Sequence, residues 1–381
     1  MATPLALDRD ALYYPYIHIR DVDWLKSTLL CFPNVRRMVP REFTLRDTDE
    51  IREFCQIEGP RGIPLLTSAD LYSQSVKQAQ VTLLSRLELH KGALGGLYGR
   101  EITFERVSHP HQFEIHAGKV IRPLEEFLKS HDLAWESWDR GRGSSWLALH
   151  PKLGRAIMST LAVAIAKDAG LDIVTDSQPL HHIVDSMADD DIFDALIEKD
   201  FTSGSGAESR LVDQLVEIVI TTSFDVRQLS ARQIAELLKD GKDLRRFKNA
   251  LVPIIETIPP MANAHERERR LQSAAREVVD EWMKYKKSLP RFALEAIIDT
   301  ADIKFPEIGT SAINAAATVV QLGAAAGLSV ALLSYTGLKV FRKYREQSKS
   351  PYRYLSQIRH AVGRYPFNEL TLPSLPSSTP S

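Results

Sequence analysis

The stretch from residue 146 to residue 175 limits the fold more than any other part of the chain. An apolar run at 146–149 is followed by Pro151, an apolar-periodic segment to Ala169, Gly170, and a second apolar run at 171–175. Proline suits the first turn of a helix, whose N–H groups lack partners, and glycine suits the residue just past the last turn. Two strands joined by a helix can pair in one sheet only in parallel, through a right-handed crossover. The segment therefore predicts a βαβ unit, and with it an α/β fold whose sheet is mixed or mostly parallel.

The rest of the first half agrees with that class. Residues 11–20 are rich in aromatic and β-branched side chains, as a strand requires. Asp21 and Asp23 can cap a helix over 24–30, and 35–39 reads as a short strand. The Asp47-Thr48-Asp49-Glu50 stretch opens a helix through Cys55, which Gly59, Pro60 and Gly62 end. Residues 63–66 form a further strand, and Ser68 caps a helix over 69–90 with Tyr72, Val76, Ala79, Leu83 and Leu87 on one face. A helix follows at 119–130. The segment 211–221 fits either a strand or a helix, and its β-branched end favours a strand at 216–221.

Thr202-Ser203-Gly204-Ser205-Gly206 marks a loop or boundary, and beyond residue 225 the apolar period becomes purely helical. The Ser230–Gln233 capping box opens a helix to 258, Pro259-Pro260 breaks it, and a second helix runs over 263–289. Matching seams on the two predict an antiparallel helical hairpin. The chain thus divides into an α/β domain at 8–225, an all-α C-terminal domain at 226–365, and a Pro/Ser-rich disordered tail at 366–381.

Within the helical half, residues 308–338 carry no charge. A run of ~20 apolar residues is what a bilayer span needs. Gly323 and Gly327 form a GxxxG arrangement that lets helix backbones approach closely, and Lys339, Arg342, Lys343, Arg345, Lys349 and Arg353 follow with Glu346 among them. The same run is dominated by small residues and interrupted by Asn314 and Gln321, so two short core helices are the alternative. The run therefore points to self-association, a protein partner or a membrane surface, or else to burial.

Three polar groups could carry chemistry. Asp176 stands just past the 171–175 strand, where open parallel sheets bind ligands. His181, His182 and Asp185 follow at spacings that share a helix face, so Asp176 with His182 and Asp185 forms an acid–base set, and His181 adds a fourth metal-ligand candidate. Capping by Asp176 or Ser177 explains the same residues without chemistry. His109, His111 and His116 could bind zinc but lack a cysteine or a placed carboxylate, and solvated loop residues explain them as well. Gly92, Gly95, Gly96 and Gly99 follow a helix rather than a strand, which is the wrong order for a phosphate cradle. Asp189-Asp190-Asp191 reads as a helix start.

Several classes are disfavoured. A net charge of -1 over 381 residues offers no field to draw in nucleic acid. The basic residues of 263–289 alternate with glutamates, as on a solvated helix face. Cys31 and Cys55 form no CxxC pair, and residues 1–10 lack a secretory pattern, so a reducing, cytoplasmic setting is expected, with membrane association through 308–338. No GxSxG, HExxH, kinase or cofactor signature occurs.

The opening ALYYPYIHIRDVDWLK, residues 11–26, resembles an uncharacterised bacterial domain-of-unknown-function family, and LDIVTDSQPLHH at 171–182 and Leu244-Arg245-Arg246-Phe247 are similar to it too. The resemblance spans 11–365. It implies a bacterial protein, and no activity, cofactor or catalytic residue. The expectation from the residues is a non-catalytic interaction or effector protein acting through its helical half. The alternative is a metal-dependent hydrolase or nuclease at the carboxyl edge of the sheet.

Overall fold

The computed structural model describes residues 9–91, 94, 113–139, 144–176, 208–239, 241–258, 264–288 and 350–363. A four-stranded sheet forms its centre, built from β1 (Ala11–Tyr13), β2 (Val35–Arg37), β3 (Leu66–Ser68) and β7 (Asp172–Val174) in the order β3-β2-β1-β7, every neighbouring pair parallel. Helices α1 (Val22–Cys31) and α2 (Asp49–Gln56) connect the first three strands. The chain then returns to place β7 on the other side of β1. The strand order reverses between β1 and β7, and at such a switch point the connecting segments leave in opposite directions and open a crevice.

β1 is three residues long, not the ten expected, because Pro15 has no N–H to extend the ladder. The Tyr14 N–H makes the last bond, to the Val174 carbonyl at 2.9 Å. The Asp21 side chain caps α1 and Thr48 caps α2. Ser68 lies in β3, and Ser73 is the cap of the following helix α3 (Gln74–Leu89).

A second, antiparallel sheet has the order β4-β6-β5, from β4 (Phe113–His116), β5 (Ala134–Asp139) and β6 (Ser144–Leu149). Helix α4 (Arg122–Ser130) lies between β4 and β5, and α5 (Pro151–Ala169) follows β6 with Pro151 in its first turn and Gly170 left-handed at its end, φ 63°. Both strands flanking α5 form as expected, but not in one sheet. β6 bonds β4 and β5, while β7 bonds β1. The βαβ unit expected at 146–175 is therefore a link between two sheets. Its helix ends are local properties and are read correctly, whereas the strand partners are set by long-range pairing. Gly154 of α5 lets β4 come close: a Cβ there would stand 2.5 Å from the Phe113 ring.

Residues 216–221 belong to helix α6 (Glu208–Ser223), not to a strand. Val212, Leu215, Val216, Val219 and Ile220 are all buried, a spacing of threes and fours that a strand could not turn to one side. The helix expected over 231–258 is two, α7 (Ala231–Leu238) and α8 (Lys242–Glu256), separated by Gly241 at φ 60°. α9 (Ala264–Ser288) and α10 (Arg353–Val362) complete the described elements.

The parallel sheet is covered on both faces, as such sheets must be. Ala11, Tyr13 and Val35 look into a core shared with α1, α2 and all of α6 to α10, including the fully buried Trp282 and Tyr354. Leu12, Tyr14 and Ile173 look the other way, into a core shared with α3, α4, α5 and the antiparallel sheet. α8 and α9 both pack on α6, and a buried ion pair, Lys248 Nζ to Asp213 at 2.6 Å, ties α8 to α6. The described helices after residue 226 therefore finish the sheet's own core. Among the described residues, no helix is long and apolar enough to cross a membrane.

Candidate functional site

The carboxyl edge of the parallel sheet collects polar groups from four directions. Registers align Tyr13 of β1 with Arg37 of β2 and with Val174 of β7, so these residues form the last row. Asp176, two residues past Val174, falls on the same side as Tyr13 by strand alternation. The fully buried Tyr13 hydroxyl lies 2.7 Å from Asp176 Oδ2 and 3.2 Å from the His18 carbonyl oxygen. Burial first, and then the Asp176 carboxylate, hold this phenol far above its ordinary range. It is therefore a permanent donor. Asp176 Oδ1 is buried and has no hydrogen-bond partner among the described residues.

Arg37, 2% exposed, grips Asp47 with two bonds of 2.8 and 2.6 Å. Asp47 Oδ1 also faces His18 Nδ1 at 3.5 Å. Burial pushes the Asp47 carboxyl up, but the Arg37 hydrogen bonds and charge, with His18, outweigh it and hold the group below its ordinary value. A single carboxylate thus joins a buried guanidinium behind it to an imidazole in front.

A third wall comes from β4 and the single turn Ala117–Lys119 that follows it. His116 Nδ1 accepts from the Gly118 N–H at 3.1 Å, so the ring proton sits on Nε2. That Nε2 is buried and has no partner among the described residues. Burial, then the charge of Lys119, lower the affinity of this ring for a second proton. The ring packs edge-on against Phe43 and Trp146, with centroids 5.2 and 5.3 Å away. Lys119 is buried and donates to the Pro15 carbonyl at 3.2 Å. Burial alone pulls its amine down to about 7. Burial raises the thiols of Cys31 and Cys55, which leaves them inert rather than nucleophilic.

The edge does not offer a nucleotide cradle. The β1–α1 connection, Tyr14 to Asp21, contains no glycine. The N-terminus of α1, where a diphosphate would sit, is filled by the Asp21 carboxylate, which accepts from the N–H groups of Asp23 and Trp24 at 2.8 and 3.1 Å.

Of the candidates from sequence, Asp176 is where the strand assignment puts it. His181, His182 and Asp185 lie outside the described residues, as do His109, His111, the glycines Gly92, Gly95, Gly96 and Gly99, Asp189-Asp190-Asp191, and Gly323 and Gly327 within 308–338. His116 is a buried wall residue, not part of a solvated loop. Among the described residues, no three His, Cys, Asp or Glu side chains are grouped to hold a metal ion, so any centre at Asp176 must draw on residues beyond it. Sequence reasoning missed His18, Arg37, Asp47 and Lys119. One signal was available: the doubled arginine in Val35-Arg36-Arg37-Met38-Val39 puts charge into a strand of a doubly covered sheet, where it needs a buried partner.

The chain matches no protein-family model, no characterised protein and no solved structure.

Proposed function

We propose that the carboxyl edge between β1 and β7 is the working site of this chain, and that it serves a metal-assisted hydrolase. Asp176 carries the reading. It is a half-buried carboxylate at the switch point, with one oxygen held by Tyr13 and the other, Oδ1, buried and unpartnered among the described residues. A buried acceptor left unmade costs about 1–3 kcal/mol, and such groups are kept where a ligand completes them. His182 and Asp185, with His181, follow on the same segment and supply the further ligands a divalent cation needs. The cation would polarise the hydrolysed bond or activate a water.

Calorimetric titration with Mn²⁺ tests this. The wild-type chain should bind one ion per molecule, with affinity lost at least tenfold in Asp176→Asn, His182→Ala and Asp185→Ala. A wild-type chain that binds no Mn²⁺, or variants that bind it unchanged, overturns the reading.

A second reading has its own observation, the uncharged run 308–338 with its basic flank. In it the region 226–365, with its helical hairpin, is an effector half that docks on a protein partner, a second copy or a membrane surface, in a bacterial protein of the family its opening resembles. The inward faces of α6 to α10 are committed to the sheet, which leaves docking to residues such as Gly323 and Gly327. Cell fractionation tests the membrane version of this reading: a chain that remains in the supernatant, with 308–338 intact, rejects it.

A further inference from the structure

We infer that His116 and Lys119 form a binding site for a small oxyanion, a carboxylate or a tetrahedral group of the phosphate and sulfate kind. The site does not depend on the reading of Asp176, and both of its groups lie within the described residues. His116 is 5% and Lys119 4% exposed. They are the cap and the last residue of the single turn after β4, three positions apart, and residues at that spacing in a 3₁₀ turn eclipse. The charge of Lys119 is felt at the His116 ring. The Gly118 N–H can only donate, so it occupies the Nδ1 lone pair and leaves the ring proton on Nε2. That N–H is buried and finds no acceptor among the described residues. Lys119 has three N–H donors. One goes to the Pro15 carbonyl, and no carboxylate pairs with the ammonium among the described residues.

The chemistry of the two groups selects the ligand. Buried donors are bonded and buried charges are paired as a rule. Here one turn carries an unmet donor and an unpaired cation. Neither offers a lone pair, so the same pair rejects a metal ion. What completes them must accept hydrogen bonds at two points and carry negative charge, and that describes an oxyanion. The charged and titratable groups around the turn come from three other segments. Glu42, after β2, is exposed, and its Oε2 lies 3.3 Å from where a Cβ on Gly118 would stand. Its charge opposes the anion. Tyr72, before α3, reaches the Gly118 carbonyl with its hydroxyl at 3.4 Å and lies under the Arg41 guanidinium. His18, after β1, packs on the same Phe43 ring as His116.

The test is calorimetric titration of the full chain, free of added metal, with sodium sulfate and separately with sodium acetate, each up to 50 mM. Neither anion titrates between pH 6 and pH 9, so any pH dependence belongs to the protein. The wild-type chain should bind one ion per molecule at pH 6. Binding of sulfate alone assigns a tetrahedral ligand, and binding of acetate alone assigns a carboxylate. Apparent affinity should fall about a hundredfold by pH 9, because only the ammonium form binds and the Lys119 amine titrates at about 7. Lys119→Met, which removes a buried cation and so should fold, should bind neither ion. Binding of neither ion by the wild-type chain, affinity equal at the two pH values, or binding retained in Lys119→Met overturns the inference. A second readout needs no variant. In long-range ¹H–¹⁵N spectra of the wild-type chain, with His116 assigned through its backbone, the ring should be the Nε2–H tautomer, and the bound ion should shift that proton downfield. An Nδ1–H tautomer, or a proton that stays in place while the ion binds, overturns the inference as well.

Discussion

The two ends of the parallel sheet handle charge in opposite ways. At the amino edge the carboxylates are all paired with arginines, although Arg36 Nε and Asn34 Oδ1 have no hydrogen-bond partner among the described residues. Asp10, 1% exposed at its side chain, lies between Arg36 at 2.8 Å and Arg61 at 2.9 Å, and Asp172 faces Arg9 at 3.5 Å. At the carboxyl edge Arg37 and Asp47 are joined by two bonds. Around it stand a carboxylate oxygen of Asp176 and an imidazole nitrogen of His116 with no partners among the described residues, and a buried amine whose acceptor is a carbonyl. Both ends belong to the same four strands, so packing demands on them are alike. The difference teaches that the amino edge pairs its carboxylates with arginines, while the carboxyl edge retains a carboxylate oxygen and an amine with no counter-ion among the described residues, which lowers stability. Perturbed and unsatisfied groups gathered in this way mark functional sites.

The contrast breaks most easily at Lys119. Its amine titrates at about 7 in the folded chain and at ~10.4 when unfolded. Between those values the unfolded state holds more protons, so stability rises with pH, and below 7 the full cost is present. Lys119→Met should therefore stabilise the chain by about 3 kcal/mol at pH 6 in urea unfolding, with the gain shrinking steadily as pH climbs toward 10.5. Loss of stability in this variant at pH 6 would mean that the amine is paired and the two edges are alike.

The amino edge should respond with the opposite sign. Asp10→Ala strips a counter-ion from two arginines that are themselves 30% and 43% exposed and can rehydrate, so a cost of about 2 kcal/mol is expected by the same unfolding measurement. Smallest of all is Asp176→Asn. The amide oxygen still accepts from Tyr13, and Oδ1 has no bond to lose among the described residues, so stability should stay within about 0.5 kcal/mol of wild type. A cost comparable to that of Asp10→Ala would make Asp176 a structural residue and remove the asymmetry.

What the sequence reveals about these edges follows from how far each signal reaches. Caps and stops are local: Asp21, Thr48, Pro151 and Gly170 act on their own turns, and each does so in the fold. The α/β class and a parallel sheet follow from those local units. Strand pairing is not local. Residues 146–149 and 171–175 read as partners because they are adjacent in the chain, yet β1, some 160 residues upstream by number, is the neighbour of β7. The β-branched run at 216–221 favours a strand by composition, whereas the three-and-four spacing of its buried residues is that of a helix. Asp176 was legible because it needs only a strand end. His18, Arg37 and Asp47 were not, since two separate connections and the end of β2 bring them together, and a lone histidine in an aromatic stretch gives no sign of a carboxylate 29 positions later.

The account's central claim is that the unpartnered oxygen of Asp176 awaits a cation. Urea unfolding of the wild-type chain and of Asp176→Asn, each with and without 1 mM MnCl₂, measures it directly. A ligand at about a hundred times its dissociation constant stabilises the state that binds it by ~2.7 kcal/mol. The account predicts a shift of that order in the wild-type chain and almost none in the variant; equal shifts in both, or none in either, would contradict it.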